Sequence, residues 1–384
     1  MAEKVLHIHT RPIVGGSGTN TLLTMVGCAS VGFDCVLACG AEGPLTEEAR
    51  KNGLPVEIIP HLKNEINIFN DFLALKELNA LMEKKHFTIV HTHNSKAGIL
   101  GRLAARLCGV PVIVHTIHSC VFQYPNLNFI QRRFYFRLEK FAARMTDKLI
   151  AISDTLQNTF IEAGIAPAEK FITIYSGIEL DRFRAHVNAE EEKVALGIRP
   201  GELVVGVIGR LAEGKGHEFV IRTIPLVAKE SPKVKFIFVG DGPLRIKLWE
   251  LTQQFKVEDK VIFTGQRSDI PELLKLFDVF CLASLYEGMG RVILEAQVAG
   301  KPVVATDIGG IPDVVSKDHS AILVKPKDVE GLSAALIKLL RDDNLRLEMS
   351  KAAQQFVDYR FSAQKMVEDI VRVYNELLTV KKVS

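Results

Sequence analysis

The residues best suited to chemistry lie in the second half of the chain. Glu287 and Glu295 frame Glu287-Gly-Met-Gly-Arg-Val-Ile-Leu-Glu295, in which Gly288 and Gly290 lead into helical-period sequence that stops at Gly300-Lys-Pro302. The first amides of a helix have no intrahelical acceptor, so those of Gly290, Arg291 and Val292 can bind phosphate oxygens. Two carboxylates one to two turns apart need not share a face; one can accept hydroxyl hydrogen bonds from a sugar and the other from a ribose. A capping role for Glu287 and an exposed Glu295 are the plain alternatives. Upstream, Gly209-Arg210-Leu-Ala-Glu-Gly-Lys215-Gly216 follows a β-branched run. A planar guanidinium and a compact ammonium on a glycine-bearing loop beyond a strand suit a pyrophosphate. Gly240-Asp-Gly-Pro243 and Asp307-Ile-Gly-Gly-Ile-Pro-Asp313 supply further glycine turns nearby.

The first half offers weaker signals. Gly15-Gly-Ser-Gly-Thr19 precedes a helix expected from about Asn20, and glycines there let backbone approach a ligand. The spacing Gly16-x-Gly18-x-x-Thr21 lacks the third glycine of a dinucleotide fingerprint, and no acidic residue closes the second strand. Eight of the 11 histidines lie before residue 186. His91 and His93 end one strand, pointing the same way, and His115 and His118 end the next. No third ligand has the spacing a metal would need, so these read as polar strand ends and no metal site is expected. The six cysteines include no C-x-x-C pair and read as buried, reduced thiols.

Elements that could position these residues alternate along the chain. Val5–His9, Cys35–Cys39, Thr88–Thr92, Val110–Thr116 and Lys148–Ile152 read as strands, with helices over Phe69–Lys85 and Ala97–Leu107. The series restarts with strands Leu203–Ile208, Val234–Val239, Val261–Phe263, Val279–Leu282, Pro302–Ala305 and Ala321–Val324, separated by helices. Strands apolar nearly throughout imply parallel sheets covered on both faces. The fold class is therefore α/β, with two doubly wound Rossmann-like domains. The polar stretch Asp181–Gly201 places their boundary, giving residues 1–185 and 186–361. A last helix within 362–384 is expected to pack back on the first domain.

With 384 residues, two domains are the natural count, and a net charge of +3 does not point to nucleic acid. No stretch reaches the roughly 18 apolar residues of a membrane span, and the N-terminus makes a poor signal peptide; a cytoplasmic protein is expected. Residues 131–144, Gln131-Arg-Arg-Phe-Tyr-Phe-Arg-Leu-Glu-Lys-Phe-Ala-Ala-Arg144, are aromatic, basic and helical in period. Such a segment can lie on an anionic bilayer. It can equally pack its aromatics inside the first domain.

Together these motifs resemble the retaining glycosyltransferases of the GT-B fold, in the large family 4 (glycosyl transferases group 1). The resemblance is carried by Glu287…Glu295, Gly209-Arg210…Lys215-Gly216, Gly240-Asp-Gly-Pro243, Gly309-Gly-Ile-Pro312, His91-Thr-His-Asn-Ser-Lys-Ala-Gly98, His115-Thr-Ile-His118 and Ser176-Gly-Ile178. It implies two Rossmann-like domains facing a cleft, the C-terminal one holding a nucleoside-diphosphate sugar. It further implies Arg210 and Lys215 on the donor diphosphate, with the amides of Gly290–Val292. Glu295 would meet the ribose, Glu287 the transferred sugar and His118 the reacting sugar carbon, with Gly16 in the loop facing the phosphates. The implied reaction moves a hexose or N-acetylhexosamine from a UDP- or GDP-sugar to a glycan or lipid-linked acceptor, without metal or other cofactor. Departures are the absence of an acidic residue after the first glycines, Ser119 after His118 where glycine is frequent, and Asp313 in place of glutamate. Two other readings compete: an NAD-linked two-domain oxidoreductase and a catalytically silent sugar-nucleotide-binding protein.

Overall fold

The computed structural model describes residues 2–124, 127–185 and 190–383. The chain forms two compact units, Met1–Gly177 with Arg360–Ser384, and Ile178–Tyr359.

The first unit is built on a seven-stranded sheet: β1 Lys4–His9, β2 Asp34–Cys39, β3 Val56–Ile58, β4 Ile89–His93, β5 Val112–Ile117, β6 Lys148–Ala151 and β7 Phe171–Thr173. Their order is β3-β2-β1-β4-β5-β6-β7, with every pairing parallel. The winding direction reverses between β1 and β4, and the crevice at such a switch point is where open α/β sheets bind ligands. Side-chain alternation sorts the strands onto two faces. Leu6, Ile8, Val90 and Ile113 pack under the Ile68–Lys85 and Ser95–Leu107 helices through Ala74, Leu78, Ala97 and Ala104. Val5, Ile89, Val112 and Val114 pack on the other side against Met25, Met366, Ile370, Val373 and Tyr374. The last four belong to the Ala363–Val383 helix, which lies against the Gly16–Ser30 helix so closely that a Cβ at Gly27 would sit 2.3 Å from Val367.

The second unit has six strands: β8 Leu203–Ile208, β9 Val234–Val239, β10 Val261–Gly265, β11 Val279–Leu282, β12 Val303–Thr306 and β13 Ala321–Val324. All are parallel in the order β10-β9-β8-β11-β12-β13, again with a switch point, between β8 and β11. Val205, Val207, Phe236, Phe238 and Val279 bury against Val220, Ile224, Leu332, Leu336 and Leu339 of the covering helices.

Three local differences from the sequence reading have physical causes. The first helix begins at Gly16 rather than near Asn20, because Thr19 N–H already bonds the Gly15 carbonyl at 2.8 Å. The three-residue strands β3 and β7 are too short to show a period. The polar stretch after residue 181 is tied into the second unit: Arg267 bonds Glu192 at 2.8 Å, and Arg182 donates to the Ser268 carbonyl at 3.2 Å. The units accordingly divide after Gly177; residues 186–189, at the boundary drawn from sequence, lie outside the described residues.

Candidate active site

In the second unit the site residues meet at the carboxyl edge of the sheet. The loop after β8 is tied to the one after β9 by Leu211 N–H to the Asp241 carbonyl at 3.0 Å. It carries Lys215, whose Nζ lies 2.5 Å from Glu287 Oε1 in the loop after β11. Ser284 Oγ donates to the same carboxylate oxygen at 2.9 Å, and Thr306 Oγ1, ending β12, holds the Ser284 carbonyl at 2.6 Å. Ser284 and Thr306 were not singled out from sequence, since nothing in their spacing marks them.

Two glycines make this convergence possible. Gly216 has φ +68° and Gly309 φ +48°, and a Cβ on either would sit 1.8 Å from the Ala283 carbonyl oxygen or 1.9 Å from that of Glu287. The backbone of three loops is thus pressed together around Glu287, and only glycine fits.

The Arg291–Val298 helix starts directly beyond, capped by Gly290 at φ +80° with no side-chain cap bond. Its first-turn amides and positive dipole end are available to an anion. Arg291 Nε donates to Glu295 Oε1 at 3.0 Å, so the second carboxylate of the motif is held separately from the first. The Arg291 Nη1 is buried with no partner among the described residues. Arg210 is exposed at the end of β8, and its carbonyl accepts His217 Nε2–H at 3.0 Å. Burial pushes His217 down to about 4, so that ring is neutral at ordinary pH. An ammonium, a guanidinium and uncapped helix amides near a fixed carboxylate have the chemistry to receive a diphosphate joined to a polyhydroxy group.

In the first unit, four histidines of β1 and β4 share the face covered by the Gly16 and C-terminal helices: His7, His9, His91 and His93. His9 Nδ1 lies 2.7 Å from the Arg11 carbonyl, so it carries the proton and Nε2 accepts from Asn94 Nδ2 at 2.7 Å and Ser17 Oγ at 3.3 Å. This ties the Gly16 turn to the end of β4. Gly16 itself has nothing within 4 Å of a Cβ position, which leaves room for a ligand. His118 is half-buried at the end of β5 beside Asn94, Ser95 and Ser119, with Nε2 3.2 Å from His93 Nδ1.

Spacing along the chain offers no third ligand beside His91 and His93, but the fold brings in His7. His7 pairs in register with His91 across β1 and β4, and ligand atoms of His7, His91 and His93 lie within 4.8 Å of one another. Sequence spacing could not show a partner brought in by strand order. Most of these nitrogens already have partners: His91 bonds Tyr374 Oη at 2.5 Å and Thr116 Oγ1 at 2.7 Å, and His93 bonds His7 and His118, while His7 Nε2 has no partner among the described residues.

Residues 14–182 match the family model Glycosyltransferase Family 4, and residues 188–356 match Glycosyl transferases group 1. An Escherichia coli relative, UDP-Gal:alpha-D-GlcNAc-diphosphoundecaprenol alpha-1,3-galactosyltransferase, is 31% identical over 98% of both chains. The chain belongs to the family 4 glycosyltransferases. The Staphylococcus aureus capsular polysaccharide biosynthesis glycosyltransferase CapM is 26% identical over 84% of this chain and 85% of its own. The crystal structure of Anabaena HepE in complex with UDP and glucose superposes with a TM-score of 0.86 over 97% of this chain and all of that one, at 22% identity. The fold is GT-B, and the protein is a glycosyltransferase. Membership of this family sets aside the nicotinamide-dependent alternative.

Proposed function

We propose that this enzyme transfers a hexose or N-acetylhexosamine, with retention and without a metal, from a UDP- or GDP-sugar to a glycan or lipid-linked acceptor in cell-envelope synthesis. The carrying observation is the 2.5 Å contact of Lys215 with Glu287, 72 residues apart, beside an uncapped helix N-terminus. In this reading Lys215, Arg210 and the amides of Gly290, Arg291 and Val292 stabilise the departing diphosphate, which is electrostatic catalysis. Glu287 orients the hexose, Glu295 holds the ribose, Gly16 lies in the phosphate-facing loop, and His118 acts on the reacting sugar. The name of the E. coli relative supports a UDP-linked donor and a polyprenyl-diphosphate acceptor, and an α-linkage made from an α-configured nucleotide sugar is retention. Lys215 and Arg210, as cations that could take up the diphosphate charge, support metal independence.

We also propose peripheral contact with the inner face of the plasma membrane through residues 131–144. Among the described residues no helix is long and apolar enough to cross a membrane. On the Phe129–Arg144 helix, Phe129, Ile130, Phe134 and Phe141 are exposed alongside Arg132, Arg133, Arg137 and Lys140, while Phe136 turns inward onto Phe122. Apolar tips interleaved with cations suit an anionic lipid surface.

The test is transfer from a panel of UDP- and GDP-sugars to a GlcNAc-diphosphate-polyprenol, with and without chelator, the product anomer being read by NMR. Transfer of one sugar in the α configuration, unaffected by chelator, is expected. Inactivity with the whole panel, a β product or loss of activity with chelator overturns the corresponding part. Co-sedimentation with anionic vesicles should be lost in the Phe134→Ser, Phe141→Ser double variant; binding equal to wild type refutes the membrane contact.

A further inference from the structure

The histidine cluster holds more than the site needs for shape. His7, His91 and His93 are fully buried, and three rings form one hydrogen-bonded row: His7 Nδ1 lies 3.2 Å from His93 Nε2, and His93 Nδ1 lies 3.2 Å from His118 Nε2. The His7 and His93 rings lie nearly parallel at 15° with centroids 5.5 Å apart, meeting edge to edge through these nitrogens, while His91 stacks on His93 at 28°. Ring N–H bonds and lone pairs lie in the ring planes, so the facing nitrogens of His7 and His93, and of His93 and His118, aim at each other and not at a shared third point, as a metal ion would require. The arrangement is a hydrogen-bonded row rather than a chelate.

A neutral imidazole has one N–H and one acceptor nitrogen, so each contact in the row holds one proton and the three rings must agree. Two arrangements satisfy both contacts. In the first, His7 Nδ1–H donates to His93 Nε2, His93 Nδ1–H donates to His118 Nε2, and His118 carries its proton on Nδ1. In the second, every proton is shifted: His118 Nε2–H donates to His93, His93 Nε2–H donates to His7 Nδ1, and His7 carries its proton on Nε2. They differ at the two ends of the row. At the inner end, His7 Nε2 is buried and has no partner among the described residues. The second arrangement strands an N–H there; the first leaves only an unused lone pair. Buried donors without an acceptor are the rarer defect, so the inner end selects the first arrangement. His91 cannot relieve it, because Tyr374 and Thr116 engage both its nitrogens. Burial keeps the rings neutral, with His7 and His118 pushed down to about 3 and His93 well below its ordinary value.

We infer that His7 and His93 are positioning residues that lock the tautomer of His118, fixing Nε2 as an acceptor and leaving Nδ1–H as the donor it presents outward. The row ends blind at His7 and so cannot conduct a proton through; its effect is to set one. The functional consequence rests on the reading above that His118 acts on the sugar: a fixed Nδ1–H donates to a sugar oxygen, where an isolated neutral histidine would favour the Nε2–H form.

The test is long-range proton–nitrogen NMR of the full chain labelled with 15N-histidine, the His118 signals being those lost in His118→Gln. Wild type should show His118 purely as Nδ1–H at pH 7. His93→Leu should restore Nε2–H and lower kcat roughly tenfold, the worth of one net hydrogen bond, with little change in donor KM. His93→Gln, whose amide N–H can replace the lost donor, should recover part of both. A wild-type His118 that is Nε2–H or mixed overturns the inference, as does an unchanged Nδ1–H signal in folded His93→Leu. Should His93→Leu fail to fold, the wild-type spectrum decides. If the lock is seen yet His118→Gln transfers at the wild-type rate, the role given to His118 fails while the lock stands.

Discussion

A double-mutant cycle at Lys215 and Glu287 tests the proposed division of labour most directly. In the free enzyme these side chains touch at 2.5 Å, with exposures of 33% and 13%. Screening at the partly exposed ammonium limits the pair to about 1 kcal/mol. If Lys215 serves the diphosphate and Glu287 the hexose, the pair must open on the way to the transition state, which costs wild type that amount. Lys215→Met removes a transition-state donor of about 2.7–4 kcal/mol but spares the opening, so kcat/KM should fall roughly 20- to 150-fold. Glu287→Gln loses a charged hydrogen bond of about 1.5–3 kcal/mol, again less the opening, for a fall of roughly 2- to 30-fold. The double variant spares the opening only once. Its kcat/KM should therefore lie about fivefold below the product of the two single effects. Initial rates of nucleoside-diphosphate release at subsaturating donor, with acceptor fixed, supply all four values. A double variant equal to or better than the product shows that the pair never opens. Wild-type kcat/KM in Lys215→Met removes the diphosphate role altogether.

Other perturbations follow from the same geometry. Gly309→Ala would place a methyl against the Glu287 carbonyl at an unfavourable φ, so transfer should fall at least tenfold with a stability loss of about 1–3 kcal/mol; wild-type kinetics would refute the packing around Glu287. Arg102 is fully buried, donating to Glu139 at 3.0 Å and to the Gly98 carbonyl at 2.7 Å. Arg102→Met should cost about 3–5 kcal/mol and lower the melting midpoint of the first unit by roughly 6–20 °C, and a midpoint within 2 °C of wild type, read by circular dichroism, would contradict it. His7 and His118 are pushed down to about 3 and His9 to about 4, mainly by burial. Below the unfolded value of 6.5 the unfolded chain binds the extra protons, so stability is intact above that pH and drains away as pH falls toward 3–4. Each of the three histidines should cost about 1 kcal/mol between pH 6.5 and 5.5, and a melting midpoint flat over that interval would refute their neutral burial.

Much of the architecture was legible because parallel strands covered on both faces must be apolar runs. β8, β9, β11 and β13 fall on the residues expected, and the glycines beside Arg210, Lys215, Glu287 and Glu295 are what direct attention to the ends of these strands. Strands of three residues, β3 and β7, carry no period to read. The helix start at Gly16 was hidden because glycine is a poor helix former in isolation and packing overrides that preference.

What local sequence determined, then, was the alternation of elements and the chemistry at the ends of individual strands, both set by interactions within a few residues. The meeting of Lys215 with Glu287, the anchoring of Arg102 on Glu139, and the joining of His7 to His93 and of His91 to Tyr374 were decided by tertiary structure. These contacts span 37 to 283 residues, and they exist because strand order places β1 beside β4 and β8 beside β11, the Ser95–Leu107 and Phe129–Arg144 helices pack together, and the last helix returns to the first sheet. Spacing along a chain records which groups share an element; which elements become neighbours is settled by burying all their apolar faces at once.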